Sequence, residues 1–173
     1  MKTLRPPLAR TPGGAAAPRR PRPRFPVAAA LADRLDDTAV VDVAVRLAAA
    51  RGAPLLLIAI MPPLPPRTVP RPDGVAARAV WGRALPRLAR AGIAYQPAVY
   101  HRPGERHGRL CEAKGLLDVT VTHGCSLLVV SRSGPEGLDA CTVMQAAAIR
   151  GGPLVHAASP APWAPLAAPR PPA

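Results

Sequence analysis

The stretch HGCSLLVVSRSGPEGL, residues 123–138, decides the fold. Its apolar run, Ser126 to Val130, is the clearest strand in the chain. SRSGPEGL follows as a loop of Gly, Ser and Pro, the residues that punctuate local structure. Leu138 to Arg150 then reads as a helix stopped by Gly151-Gly152, and Pro153 to Ala157 as a short last strand.

The same alternation runs upstream. Phe25 to Leu31 is a short apolar run, weak as a strand because alanine is a poor strand former. Thr38 to Arg51 reads as a helix, with Val41, Val45, Ala48 and Ala49 at helical spacing and Gly52 as its stop. Asp36, Asp37 and Asp42 resemble an acid cluster, but solvation of the helix start is the simpler reading. Pro54 to Ile60 is continuously apolar without alternation, as expected of a strand buried on both faces of a parallel sheet. Val75 to Arg90 reads as a helix, with Pro86 inside it as a candidate kink. Ile93 to Tyr100 reads as a strand that Pro97 pushes toward an edge or bulge. A helix is expected over about Glu105 to Thr122, although VTVT at 119–122 suits a strand equally well.

The resulting order, β-α-β-α-β-α-β-α-β, predicts an α/β fold. It should be a five-stranded, mostly parallel sheet with about four helices in a Rossmann-like three-layer sandwich. Ligands of such sheets bind at the carboxyl ends of the strands, near the point where strand order reverses. Those ends carry DRLDD (33–37), the MPP connector and SRSGPEGL.

Composition sets the boundaries. Residues 1–24 hold seven Lys/Arg, six Pro and no acid, and SPAPWAPLAAPRPPA from Ser159 repeats the proline theme. Such segments bury too little apolar area to offset their ordering entropy, so both are expected to be disordered tails around a domain over 25–158. MPPLPPRTVPRPDG at 61–74 is expected to be a loop or extended connector. Of the formal charge of +13, seven units lie in residues 1–24 and one at Arg170, leaving five for the rest. A basic arm can bind nucleic acid or an anionic surface, although a solvated extension is the simpler reading. The apolar run from Pro54 is too short to span a bilayer, Arg19-Arg20 lacks a following apolar h-region, and no membrane association is expected. Cys111, Cys125 and Cys141 are an odd number without C-x-x-C spacing, which fits a reducing, cytoplasmic compartment.

Three segments together resemble the universal stress protein family. LAAARGAPLLLIAIMPP resembles its first helix, Gly-Ala turn, second strand and trailing prolines. ARAGIAYQPAVYHRPGE resembles its third strand and the turn after it. HGCSLLVVSRSGPEGL with RGGPLVHA resembles its strand, glycine-rich loop, last helix and edge strand. The resemblance covers roughly residues 25–157. It implies an adenine nucleotide alpha hydrolase-like fold, a regulatory or binding module in stress response rather than an enzyme, and a homodimer through Leu154, Val155 and His156. It also implies a site for ATP or AMP at Asp33, Ile60, Ser131, Arg132, Ser133, Gly134, Gly137 and Cys141.

The loop departs from the family pattern of Gly-x-x-Gly, nine residues, then Gly-Ser or Gly-Thr. Ser131 stands at the first glycine, Gly134 is kept, Ala140-Cys141 stands at the Gly-Ser, and about four residues are missing between. The acid that ends the family's first strand falls on Ala32, with Asp33 beside it. A shorter loop offers fewer amides to a triphosphate, and Cβ atoms at Ser131 and Ala140 crowd a close approach. Arg132 and Arg150 could partly compensate with charge. Weakened or lost ATP binding is the expectation. The alternatives are polyanion binding through the basic arm and a small nucleotide-using enzyme relying on Asp33.

Other constellations are weaker. His101, His107 and Cys111 offer no fourth metal ligand nearby. Ser131, Ser133, Cys125 and Cys141 lack a base with an orienting partner, and no Gly-x-Ser-x-Gly elbow is present. Phosphorylation of Ser131 or Ser133 beside Arg132 is a faint signal. Trp81 is expected to pack on the sheet, and Trp163 to dock on a partner or back on the domain.

Overall fold

A computed structural model describes residues 25–65, 74–104 and 108–159. The arm 1–24, nearly all of the C-terminal tail with Trp163, residues 66–73 of the connector and His107 lie outside the described residues.

Five strands and four helices alternate: β1 (Val27–Leu31), α1 (Asp37–Arg51), β2 (Leu55–Met61), α2 (Val75–Ala91), β3 (Tyr95–His101), α3 (Arg109–Thr122), β4 (Leu127–Ser131), α4 (Ala140–Arg150) and β5 (Leu154–Ala158). The strand order is β3-β2-β1-β4-β5. Every neighbouring pair is parallel. The order reverses between β1 and β4, as in doubly wound sheets.

The central strand explains the packing. All five residues of β1, VAAAL, are buried. Val27, Ala29 and Leu31 pack with Val40, Ala44, Ala48, Trp81 and Leu88 of α1 and α2. Ala28 and Ala30 pack with Leu116, Leu117, Val143 and Ala146 of α3 and α4. Three small side chains at the centre let helices on both faces approach closely, and full burial overrides alanine's poor strand propensity. Trp81 packs on the sheet side of α2, as expected.

Three local features refine the sequence reading. VTVT at 119–122 completes α3. Thr120 is fully buried and its hydroxyl donates to the Leu116 carbonyl at 2.9 Å, so helical period wins over β propensity. Pro86 lies inside an unbroken 17-residue α2. It sits on the exposed face, where water can satisfy the carbonyl its missing N–H leaves free. Pro97 lies on β3, which is an edge strand of the sheet.

Gly115 shows how tightly α3 meets the sheet. A Cβ there would lie 2.7 Å from the Tyr100 hydroxyl, which donates to the Glu112 carbonyl at 2.8 Å. Burial pushes the Tyr100 pKa up to about 12, so the phenol stays a donor. Helix propensity alone would make Gly115→Ala stabilising by about 1 kcal/mol. The clash predicts the opposite: a lower melting temperature, read by thermal denaturation. A raised one would show that Tyr100 moves aside freely.

Candidate functional site

The crevice at the carboxyl ends of β1 and β4 is formed by the β1–α1 turn and the β4–α4 loop. The turn folds on its own acids. Asp37 is buried and accepts from the Ala32 and Arg34 amides, both at 3.1 Å. Burial pushes its pKa up against those two hydrogen bonds. The bend brings Asp33 to φ +58, a conformation Asp tolerates better than most residues. Asp33 points outward to Arg83 at 3.1 Å, with both side chains about half exposed, so this pair stabilises little.

Asp36 faces the other way. Its carboxylate accepts from the Ser131 hydroxyl at the end of β4, and Arg34 donates to it at 3.2 Å. Desolvation works to raise the Asp36 pKa, but the Ser131 hydrogen bond and Arg34 outweigh it and hold the carboxyl below its ordinary range. Ser131 in turn accepts from the Ser133 amide at 3.1 Å. The chain Asp36–Ser131–Ser133 stitches the two halves of the crevice together. Asp33, Arg34, Leu35, Asp36 and Ser133 line the open depression above it, about 560 Å³ in volume. Leu35 is 92% exposed there.

The glycine loop is closed on itself. A Cβ at Gly134 would lie 2.6 Å from the Leu138 carbonyl oxygen, so the loop closes in this shape only around a glycine. Gly137 has φ +81, and a Cβ there would lie 3.2 Å from the Glu112 carboxylate and 3.3 Å from the Arg109 Cα of α3. Arg102 donates to the Glu112 carboxylate at 3.0 Å and to the Glu136 carbonyl at 3.1 Å. Arg109 pairs with the Glu136 carboxylate at 2.5 Å. These contacts pin 134–138 onto α3.

The start of α4 is occupied by the chain itself. Asp139 is the N-cap, accepting from the Thr142 amide at 3.1 Å and the Thr142 hydroxyl at 2.7 Å. The Thr142 hydroxyl hydrogen bond holds the Asp139 carboxyl below its ordinary range. A helix N-terminus favours one negative group, and here a carboxylate already supplies it.

No family model matches the sequence, and no curated protein matches it significantly. Solved structures do resemble it. A universal stress protein family member from Burkholderia pseudomallei superposes with a TM-score of 0.55 at 19% identity, covering 80% of this chain and 98% of that one. The chain has the universal stress protein fold. A universal stress protein from Archaeoglobus fulgidus in complex with dAMP gives a TM-score of 0.55 at 17% identity, covering 78% and 97%. A further universal stress protein in complex with cAMP gives 0.50 at 18%, covering 78% and 98%.

Within that fold, the residues expected to form a nucleotide site separate into groups. Asp33 and Ser133 line the depression, with Ser131 beneath Ser133. Arg132 is exposed, its amide held by the Ala158 carbonyl at 2.7 Å. Gly134 and Gly137 belong to the pinned loop, and Cys141 is exposed on the first turn of α4. Ile60 is the last residue but one of β2 and packs against the α3–α4 side. Arg150 is corrected as a compensating charge. It ends α4, at the far end of the helix from the loop, and pairs with Asp118. Sequence reasoning missed the crevice roles of Asp36 and Asp37, whose partners are set by tertiary structure. It also missed Asp139, although Asp-x-x-Thr at 139–142 is a local capping pattern.

Asp139→Asn keeps a capping oxygen and removes the charge. The folded carboxyl titrates below the ordinary value of 3.8, so its stabilisation is present above that value and is lost as pH falls through the lowered one. The wild type should melt higher than the variant at neutral pH, with the gap closing as the solution is acidified. A constant gap at every pH would mean that the charge contributes nothing.

Proposed function

We propose that this chain is a universal stress protein-type binding module, without chemistry of its own, whose nucleotide site no longer holds a triphosphate. The carrying observation is the Asp139 carboxylate at the start of α4, where the resemblance would put phosphates. A phosphate chain would meet that charge with Asp36 nearby, and the glycine loop that should cradle it is clamped to α3 by Arg102 and Arg109. What remains open is the depression at Asp33, Arg34, Leu35 and Ser133, with one apolar side chain, both signs of charge and hydrogen-bonding groups. It suits a ligand of nucleoside or AMP size.

The proposal extends to assembly and location. β5 is an edge strand, Leu154 on it is 69% exposed, and Met144 of α4, 48% exposed, lines the same surface depression. An uncovered edge strand flanked by apolar side chains invites strand pairing, which supports a homodimer through Leu154, Val155 and His156. Among the described residues no helix is long and apolar enough to cross a membrane, and the three cysteines are free. We place the protein in the cytoplasm, where thiols stay reduced. Residues 25–158 would form the domain.

Calorimetric titration of ATP with magnesium should give no heat up to millimolar ligand, while Asp139→Ser should bind measurably more tightly. Micromolar binding by the wild type, weakened by Gly134→Val, would overturn the reading. Light scattering at micromolar concentration should give a dimer that Leu154→Glu converts to a monomer. A monomeric wild type would remove the assembly part alone.

A further inference from the structure

The opposite end of the sheet carries a different surface. Parallel strands all begin at one end, and the helices that return to them finish there. Arg51 lies four residues before β2 and Arg90 five before β3. Arg46 and Arg87 lie one turn further back, on the cleft between α1 and α2 that Asp42, Val45, Arg90 and Ala91 also line. Arg83, Arg87 and Arg90 fall at i, i+4 and i+7, a single stripe along α2. Arg46, Arg51 and Arg90 are exposed, and Arg87 is half-buried against Asp42 at 3.0 Å. Besides Asp42, Asp118 is the other described acid away from the crevice end, and Arg150 neutralises it. Asp33, Asp36, Asp37, Glu112, Glu136 and Asp139 gather at the crevice end.

Aromatic side chains share this basic end. The chain has five aromatic residues; Trp81 and Tyr100 are buried, and Trp163 lies outside the described residues. The other two, Phe25 at 64% exposure and Tyr95 at 45%, both sit where strands begin. Val27 is in register with Leu55 and Leu55 with Tyr95, so the start of β1 lies two strands, about 10 Å, from Tyr95. Leu55 packs under α1 and α2, and Tyr95, its in-register partner, is on that same face as Arg90. The seven Lys/Arg of residues 1–24 join the chain directly at Phe25.

We infer that this end of the domain binds single-stranded nucleic acid, with Arg46, Arg51, Arg87 and Arg90 on phosphates and Phe25 and Tyr95 stacking on bases. Cations beside exposed aromatics are the combination that single strands require: guanidinium groups chelate phosphate oxygens, and a ring offers its face to any base. An anionic membrane would satisfy the charge, but rings held at strand ends over helix termini form no continuous apolar face to insert. The inference is independent of the crevice at the other end.

The test is fluorescence anisotropy of a labelled 20-nucleotide single strand, DNA or RNA, with the full chain over a range of salt. Each phosphate contact on a single strand adds about 0.7 to the slope of log affinity against log salt, so Arg51→Ala with Arg90→Ala should lower that slope by about 1.4 and weaken binding roughly tenfold or more. Tyr95→Ala should weaken binding at least about fivefold with the slope unchanged, and Tyr95→Trp should preserve it. The control double variant Arg78→Ala with Lys114→Ala removes the same charge elsewhere and should change little. Equal weakening by the control, or no change in any variant because residues 1–24 bind alone, would overturn the proposal. So would binding only to phosphatidylglycerol vesicles and not to the strand. Circular dichroism melts confirm that each variant is folded.

Discussion

The double burial of β1 is the constraint on which the rest of the structure rests. A strand covered on both faces and flanked on both edges has no polar outlet, so its side chains must be apolar. Three consecutive alanines meet that requirement with the least volume. Helices on each side then sit close enough to share one core through the sheet, with Leu57 and Leu127 on one side and Leu56 and Leu128 on the other. The same placement fixes where a ligand can reach backbone. Order reverses only at β1 and β4, so the loops leaving those strands diverge and leave a crevice. Fold and site are thus consequences of one strand's environment.

What fills that crevice is decided by side chains the fold does not dictate. The turn after β1 spends one carboxylate, Asp37, on two of its own amides and a second, Asp36, on Ser131. The loop after β4 spends its glycines on its own closure and on packing against α3. Asp139 then completes α4. Each choice satisfies a polar group internally that an open phosphate site would leave for ligand. The result is a crevice whose acids and loop amides are largely hydrogen-bonded within the chain itself.

Sequence carried the fold well and the site poorly, for physical reasons. Continuous apolar runs such as Leu55–Ile60 and Leu127–Val130 have a local signature, because parallel strands are apolar on both faces. Glycines at 52, 92 and 151 close helices with left-handed φ and mark boundaries directly. VTVT at 119–122 was ambiguous because β-branched residues tolerate both states until packing chooses. The Asp36–Ser131 contact spans 95 positions and leaves no local trace. Glu112 looks like an ordinary helix acid, yet Arg102 reaches it from the turn after β3. Arg150 shows the converse error: it belongs to the helix that follows the loop, but ends it, a full helix length from the crevice.

The polarity of a parallel sheet gives these observations a common cause. All strands point one way, so every connection that leads from strand to helix lies at one end and every return lies at the other. Acids favour helix starts and cations helix ends, through the macrodipole. In this chain Asp37 and Asp139 lie at starts, and Arg51, Arg90 and Arg150 in last turns. Helix by helix the effect is small. Summed over helices that all begin at the crevice end, it gathers acids toward the crevice, where Arg34, Arg83, Arg102 and Arg109 pair with them, and leaves Arg46, Arg51 and Arg90 exposed toward the strand starts. Residues 1–24, which join the chain just before β1, hold seven more cations. The placement of Asp37 and Asp139, and of Arg51, Arg90 and Arg150, thus follows from the one direction in which the parallel strands run.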